Sequence, residues 1–159
     1  MAIGKKTKTG LVVGAIIILA SVGAYFIFRK KKNTNEIIKD VFDNLNFEFG
    51  KSEIKKDSFP YLDSLAEAIL KGKNWKLDIE GHTDDRGSED FNMKLSQSRA
   101  DEVKKYLVSK GISSNLITAK GFGESKPLVP NNSDSNREKN RRVEFKITKP
   151  NNEIVTTIM

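Results

Sequence analysis

Hydrophobic positions recur along this chain in three different patterns. From Gly10 to Phe28, "GLVVGAIIILASVGAYFIF", nineteen residues carry no charge. As a helix this run is about 28 Å long, the thickness of a bilayer's hydrocarbon core. In "NTNEIIKDVFDN", residues 33–44, and the leucine after it, Ile37, Ile38, Val41, Phe42 and Leu45 fall at helical spacing and predict a short amphipathic tether able to pack on the domain. "NFEFG" then alternates Phe47 and Phe49 against Glu48, a strand closed by Gly50. Beyond Ser58, read as an N-cap, Leu62, Leu65, Ala66 and Ile69 predict a helix that stops at Gly72. "WKLDIE", residues 75–80, puts Trp75, Leu77 and Ile79 on one face of a second strand. Met93, Ser96, Ala100, Val103 and Leu107 mark a long helix from about Ser88 to Lys110, with Gly111 as its left-handed cap and Arg99 beside the stripe. "LITAKGFG" reads as a third strand, "ESKPLVPNNSDSNREKN" as a polar loop, and "RRVEFKI" as a last strand with Val143, Phe145 and Ile147 inward.

The elements predict an α/β fold in the order β-α-β-α-β-β, a sandwich with two main helices on one face of a mixed four-stranded sheet, preceded by one transmembrane helix. The expected divisions are a basic tail at 1–9, the span at 10–28, a tether at 29–43, a folded domain at 44–149 and a C-terminal tail at 150–159. For the apolar run the competing reading is a cleaved signal peptide, with Val22 and Ala24 at the cut. The run continues through Phe28 into Arg-Lys-Lys-Lys, which favours an uncleaved signal anchor. Gly10 with Gly14 and Ala20 with Ala24 could let two spans approach closely, which makes a homodimer through the span a weak expectation.

Charge changes this picture in one respect. The net charge of +7 suggests nucleic acid until its location is considered. Seven of the 28 basic residues flank the apolar run within the first 32 positions, and the remaining 21 balance 21 acidic residues. The basic excess therefore belongs to the membrane flanks, and no nucleic-acid partner is expected. The chain has no cysteine, which excludes disulfides, thiolate metal sites and an N-terminal lipidated cysteine. Nothing acidic lies in the span to relay a proton.

The candidate chemistry is concentrated in "GHTDDRGSEDFNMKLSQSRADEV", residues 81–103. Asp84 is an acceptor for a cationic group and Arg99 a planar fork for an anionic one, so a binding module could use their opposite charges on a ligand. Two solvated surface residues or a structural salt bridge are the bland alternative, and the two could pair with each other when no ligand is bound. His82, the only histidine, has neither a convergent nucleophile nor a second imidazole for zinc, so neither catalysis nor a metal is expected. It reads as a strand-end residue whose ring bonds neighbouring backbone.

Taken with "GFGESKP" and "NREKNRRVEF", that stretch resembles the OmpA-like C-terminal peptidoglycan-binding domain, the module shared by porin-type outer-membrane proteins, peptidoglycan-associated lipoproteins and flagellar stator proteins. The resemblance covers roughly residues 43–148. It implies non-covalent binding of the diaminopimelate in the peptidoglycan stem peptide, with Asp84 and Arg99 as the gripping pair. Thr83 and Asn92 match pocket positions, and Leu95 is either an apolar wall for the ligand or plain core. Arg137, Asn140, Arg141 and Arg142 match the family's basic run, with Arg141 the stronger ligand candidate and Arg137 and Asn140 the weaker; Arg141 or Arg137 could pair near Asp84 or with a wall carboxylate, or the run is simply a charged strand end that discourages edge pairing. On this reading the chain is no enzyme and needs no cofactor. It tethers an envelope membrane to the wall with residues 33–159 in the periplasm, or serves as the wall-anchoring subunit of a membrane motor or channel complex.

Overall fold

The computed structural model describes residues 32–48 and 50–156. Its helices are α1 (Thr34–Asn44), α2 (Phe59–Lys71), α3 (Glu89–Ser109) and α4 (Asp134–Asn140), and its strands are β1 (Lys76–Gly81), β2 (Ile117–Gly121), β3 (Val143–Thr148) and β4 (Ile154–Thr156). The strands form one mixed sheet in the order β2-β1-β3-β4. β1 runs parallel to β2 and antiparallel to β3, which pairs antiparallel with β4. Among the described residues no helix is long and apolar enough to cross a membrane. The span expected at 10–28, and the dimer expected through it, lie outside them.

Alternation along β1 and β3 turns Leu77, Ile79, Val143, Phe145 and Ile147 to the helices, where they are buried with Ile117 of β2 and Val155 of β4. Leu62, Leu65, Ala66 and Ile69 of α2 and Ala100, Val103 and Leu107 of α3 complete this core. α3 packs on β1 and β2, while α1 packs on α2 and reaches β3 and β4. The glycines at the strand ends set how closely α3 can lie. A Cβ on Gly121 would stand 2.7 Å from Gln97 Cα, and one on Gly81 would stand 3.0 Å from the Ser96 carbonyl carbon. Only hydrogen side chains at these points let the first half of α3 rest on the ends of β1 and β2.

The mixed four-stranded sheet is as expected, but its membership differs. The strand expected at 46–50 does not join the sheet. Gly50, at φ +67°, reverses the chain, and the segment pairs with itself: Phe47 bridges Ile54, Glu48 N donates to the Glu53 carbonyl at 2.9 Å, and Lys55 N donates to the Asn46 carbonyl at 2.9 Å. Phe49 lies outside the described residues. The fourth strand is instead β4, from the segment expected to be a tail.

Residues 34–44, expected as a tether, are helix α1 and put Ile38 and Val41 into the core. A reciprocal cap starts that helix: Asn33 Oδ1 accepts from Glu36 N at 3.0 Å, and Glu36 Oε2 accepts from Asn33 N at 2.9 Å. The polar loop holds α4, capped by the Ser133 hydroxyl accepting from Asn136 N. Ser58 makes no cap bond. Its buried hydroxyl accepts from Asn46 N at 2.9 Å and donates to the Asn44 carbonyl at 3.0 Å, tying the end of α1 to the hairpin. Gly111, at φ +97°, closes α3 in the left-handed conformation the sequence calls for.

Candidate functional site

The end of β1, the first half of α3, the hairpin at 46–55 and the chain following α4 converge on a cavity of about 360 Å³. Thr83, Asp84, Asn92, Leu95, Arg99 and Arg141 all line it. The backbone leaves β1 at Gly81 and carries Thr83 and Asp84 across the top of α3. Thr83 N donates to the Gly123 carbonyl at 2.9 Å, and Asn92 Nδ2 donates to the Asp84 carbonyl at 3.2 Å. Asn92 also donates to Glu124 Oε2 at 2.6 Å, so its amide is largely spent on holding the loop. The Thr83 hydroxyl is buried and has no hydrogen-bond partner.

Asp84 and Arg99 are both buried, at 6% and 8% exposure, yet they do not pair with each other. The carboxylate of Asp84 accepts from Arg141 Nη1 at 2.6 Å through Oδ2 and from Arg86 N at 3.0 Å through Oδ1. Arg99 donates its Nε to the Lys51 carbonyl at 3.0 Å and lays its guanidinium over the Phe47 ring, 5.0 Å from the centroid. No carboxylate among the described residues is within ion-pair distance of it. Burial lowers its pKa, the Arg141 cation lowers it further, and Asp84 works in the opposite direction. The ligand-free pairing open to Asp84 and Arg99 is not made: Asp84 pairs with Arg141, one of the two arginines the sequence offered near it, while the hairpin carbonyl and the Phe47 face occupy the Arg99 guanidinium.

Two of the weaker candidates stand away from the cavity. Arg137 donates its Nε to Asp85 Oδ1 at 2.8 Å. Asn140, wholly buried, accepts from Leu128 N and Val129 N and donates to the Val129 carbonyl and Asn131 Oδ1, so it fastens the 128–131 loop. Arg142 directs its guanidinium to Glu144 Oε1, at 2.6 Å from Nη2. The expectation for His82 needs correction too: its ring bonds no backbone, and both nitrogens are buried without a hydrogen bond. It stacks on Phe122 with centroids 5.5 Å apart. Burial first, then the Arg142 cation, push its pKa down to about 4, so the imidazole is neutral at neutral pH.

Sequence reasoning missed the wall formed by Leu45, Asn46, Phe47, Glu48 and Gly50, along with Arg86, Phe91 and Glu138. Phe47 was visible as an apolar residue, but the alternation around it assigned it to the sheet. Phe91, exposed at the cavity mouth, had no periodic signal at all.

The arrangement can hold a small zwitterion: a carboxylate on the unspent edge of Arg99, an ammonium at Asp84, and a hydroxyl donor at Thr83. Comparison with known proteins places this chain in a lineage. The OmpA family matches residues 46–141. Outer membrane porin F of Pseudomonas fluorescens is 39% identical over 65% of this chain, which spans only 32% of that protein's length. The peptidoglycan-associated lipoprotein of Pasteurella multocida is 32% identical over 87% of this chain and 95% of that protein. Among solved structures, the C-terminal domain of Helicobacter pylori MotB superposes with a TM-score of 0.62 at 32% identity, covering 69% of this chain and 88% of that one. With the family matching over most of the folded chain, and one relative aligned over nearly its whole length, the chain belongs to the OmpA family.

Proposed function

We propose that the chain binds peptidoglycan non-covalently through the diaminopimelate of the stem peptide and holds an envelope membrane to the wall, without turning over substrate. The observation that carries this reading is Arg99, a buried guanidinium at a cavity wall with no carboxylate partner among the described residues. Diaminopimelate ends in a carbon bearing both an ammonium and a carboxylate. Arg99 offers that carboxylate two parallel N–H donors, and Asp84 accepts from the ammonium while still held by Arg141. Leu95 supplies an apolar wall for the methylenes, and the Thr83 hydroxyl gains the partner it lacks. The kinship with a peptidoglycan-associated lipoprotein supports the ligand class.

On this reading residues 10–28 anchor the chain in a membrane and the folded part faces the periplasm. The likeness to MotB supports a second use of the same grip, anchoring a membrane motor or channel complex. The absence of an acidic residue from the apolar run argues that such a complex takes its proton path elsewhere.

Calorimetric titration of diaminopimelate-type and lysine-type stem peptides into the full chain in detergent tests the reading. The lysine peptide lacks the carboxylate and should bind far more weakly, and Arg99→Ala should abolish most of the difference in affinity. Equal affinity for the two peptides would place the ligand site elsewhere.

A further inference from the structure

A second cluster lies on the face of the sheet turned away from the helices. Glu80 of β1 and Glu144 of β3 are directly opposed across the strand pair. His82 follows Glu80 by two residues and projects on the same side. One ligand atom from each of the three lies within 4.8 Å of the others, the one such grouping among the described residues. His82 is 2% exposed, with neither ring nitrogen hydrogen-bonded. Its Nε2 stands 3.9 Å from Glu144 Oε1, too far for a hydrogen bond and close enough for two groups to share an ion. A buried imidazole with nothing to bond calls for an explanation, and an ion is one of the few available.

We propose that Glu80, His82 and Glu144 bind a borderline divalent cation, zinc by the chemistry of the donors: one imidazole and two carboxylates, with a position left open for water. Arg142 serves as the outer support. It donates Nε at 2.7 Å and Nη2 at 2.6 Å to Glu144 Oε1, and is itself held by the Asn140 and Lys126 carbonyls at 3.3 Å, so it orients the carboxylate from behind.

Donors around a tetrahedral zinc stand about 3.3 Å apart, so the cluster must contract. Both glutamates are half-exposed and can swing inward, whereas His82 is fixed. Arg142, and Lys126 at 4.0 Å from Glu80 Oε2, oppose the cation and make the site weaker than a closed structural zinc centre. Thr83 and Asp84 follow His82 directly, so a cation here would fix the strand end that delivers them. The inference itself does not depend on what the cavity binds.

Because His82 is the only histidine, its imidazole nitrogens give a single assignable set of resonances. The full chain, freed of metal with a chelator and exchanged into chelator-free buffer with detergent, is titrated with zinc chloride by calorimetry and by ¹⁵N-detected imidazole spectroscopy. Binding of one zinc per chain with a shift of the Nε2 resonance is expected, and Glu80→Gln and His82→Gln should each weaken it by about tenfold or more. If His82→Gln fails to fold, the half-exposed Glu80→Gln carries the comparison. An unmoved imidazole resonance, or equal zinc affinity in Glu80→Gln and the parent chain, overturns the proposal and leaves an ordered water as the partner of His82.

Discussion

Replacing Arg99 by Met removes the guanidinium and keeps most of the aliphatic stem, which separates a ligand-gripping role from a structural one. In the folded chain the guanidinium makes one bond to the Lys51 carbonyl and one face contact with Phe47. A hydrogen bond from a charged donor contributes about 1.5–3 kcal/mol and a cation–π contact about 1 kcal/mol. Against these stands the cost of burying a cation that has no carboxylate partner, which is several kcal/mol. The two sides nearly cancel, so the variant should be within about 1 kcal/mol of the parent in stability. Binding should respond very differently. Losing a partly desolvated charge pair costs on the order of 2–5 kcal/mol, or about 30-fold to several thousandfold in affinity. Urea unfolding followed by the fluorescence of Trp75, the only tryptophan, measures the first quantity, and calorimetry with a diaminopimelate stem peptide measures the second. A variant that loses about 3 kcal/mol or more of stability while its affinity falls less than about tenfold would show that Arg99 is a structural cation and refute the reasoning.

Other positions separate scaffold from site. Gly121→Ala forces a Cβ against the backbone of Gln97 and should cost on the order of 1–3 kcal/mol in chemical unfolding; parental stability would mean that α3 does not need that close approach. Asn140→Ala leaves the part-buried backbone groups of Leu128 and Val129 without their partner and should cost about 1–3 kcal/mol, with stem-peptide affinity in the folded variant unchanged. Weakened binding there would return Asn140 to the ligand site. Asp63 joins α2 to α3 by accepting from Tyr106 Oη at 2.8 Å and pairing with Lys110 Nζ at 2.7 Å. The bond to Lys110 is the leading cause that holds its pKa below the ordinary 3.8. A depressed carboxylate stabilises the fold above its unfolded pKa and loses that contribution as pH falls through the folded value. The stability difference between the parent and Asp63→Asn should therefore be full above about pH 5 and close as the solution is acidified below 3.8, as read by urea unfolding at each pH.

Those parts of the fold that bury apolar side chains were legible. Leu62, Leu65, Ala66 and Ile69, and Ala100, Val103 and Leu107, keep helical spacing because their neighbours are all hydrocarbon. The first half of α3 misleads for the same reason. There the buried positions are Asn92, Ser96 and Arg99, while Met93 is 40% exposed, because this stretch faces a polar cavity and strand-end backbone. A binary pattern assigns polar residues to water, and so it placed Arg99 beside the buried face. β4 is three residues long and α4 has no apolar stripe, so neither carries enough periodicity to be seen. The hairpin at 46–55 looked like a sheet strand because alternation does not reveal what a strand pairs with. Bringing Asp84 and Arg99 to one cavity rested on resemblance to a family, since nothing in their spacing specifies the hairpin between them and solvent. His82 was weighed alone and set aside as a metal ligand, because its grouping with Glu80 and Glu144 depends on β3, far along the chain.

Helix α1 ends at Asn44, and the next residue, Leu45, already lines the cavity. Ser58 clamps the junction by bonding the Asn44 carbonyl and Asn46 N. A pull applied at Asn33 therefore meets no slack: tension runs along a helix whose hydrogen bonds lie parallel to its axis and arrives at the hairpin beneath Arg99. For a molecule suspended between a membrane and a ligand in that cavity, mechanical strain and occupancy bear on the same few residues. How long such a bond survives under force would then be set by Leu45 to Gly50 as much as by the charges that recognise the ligand.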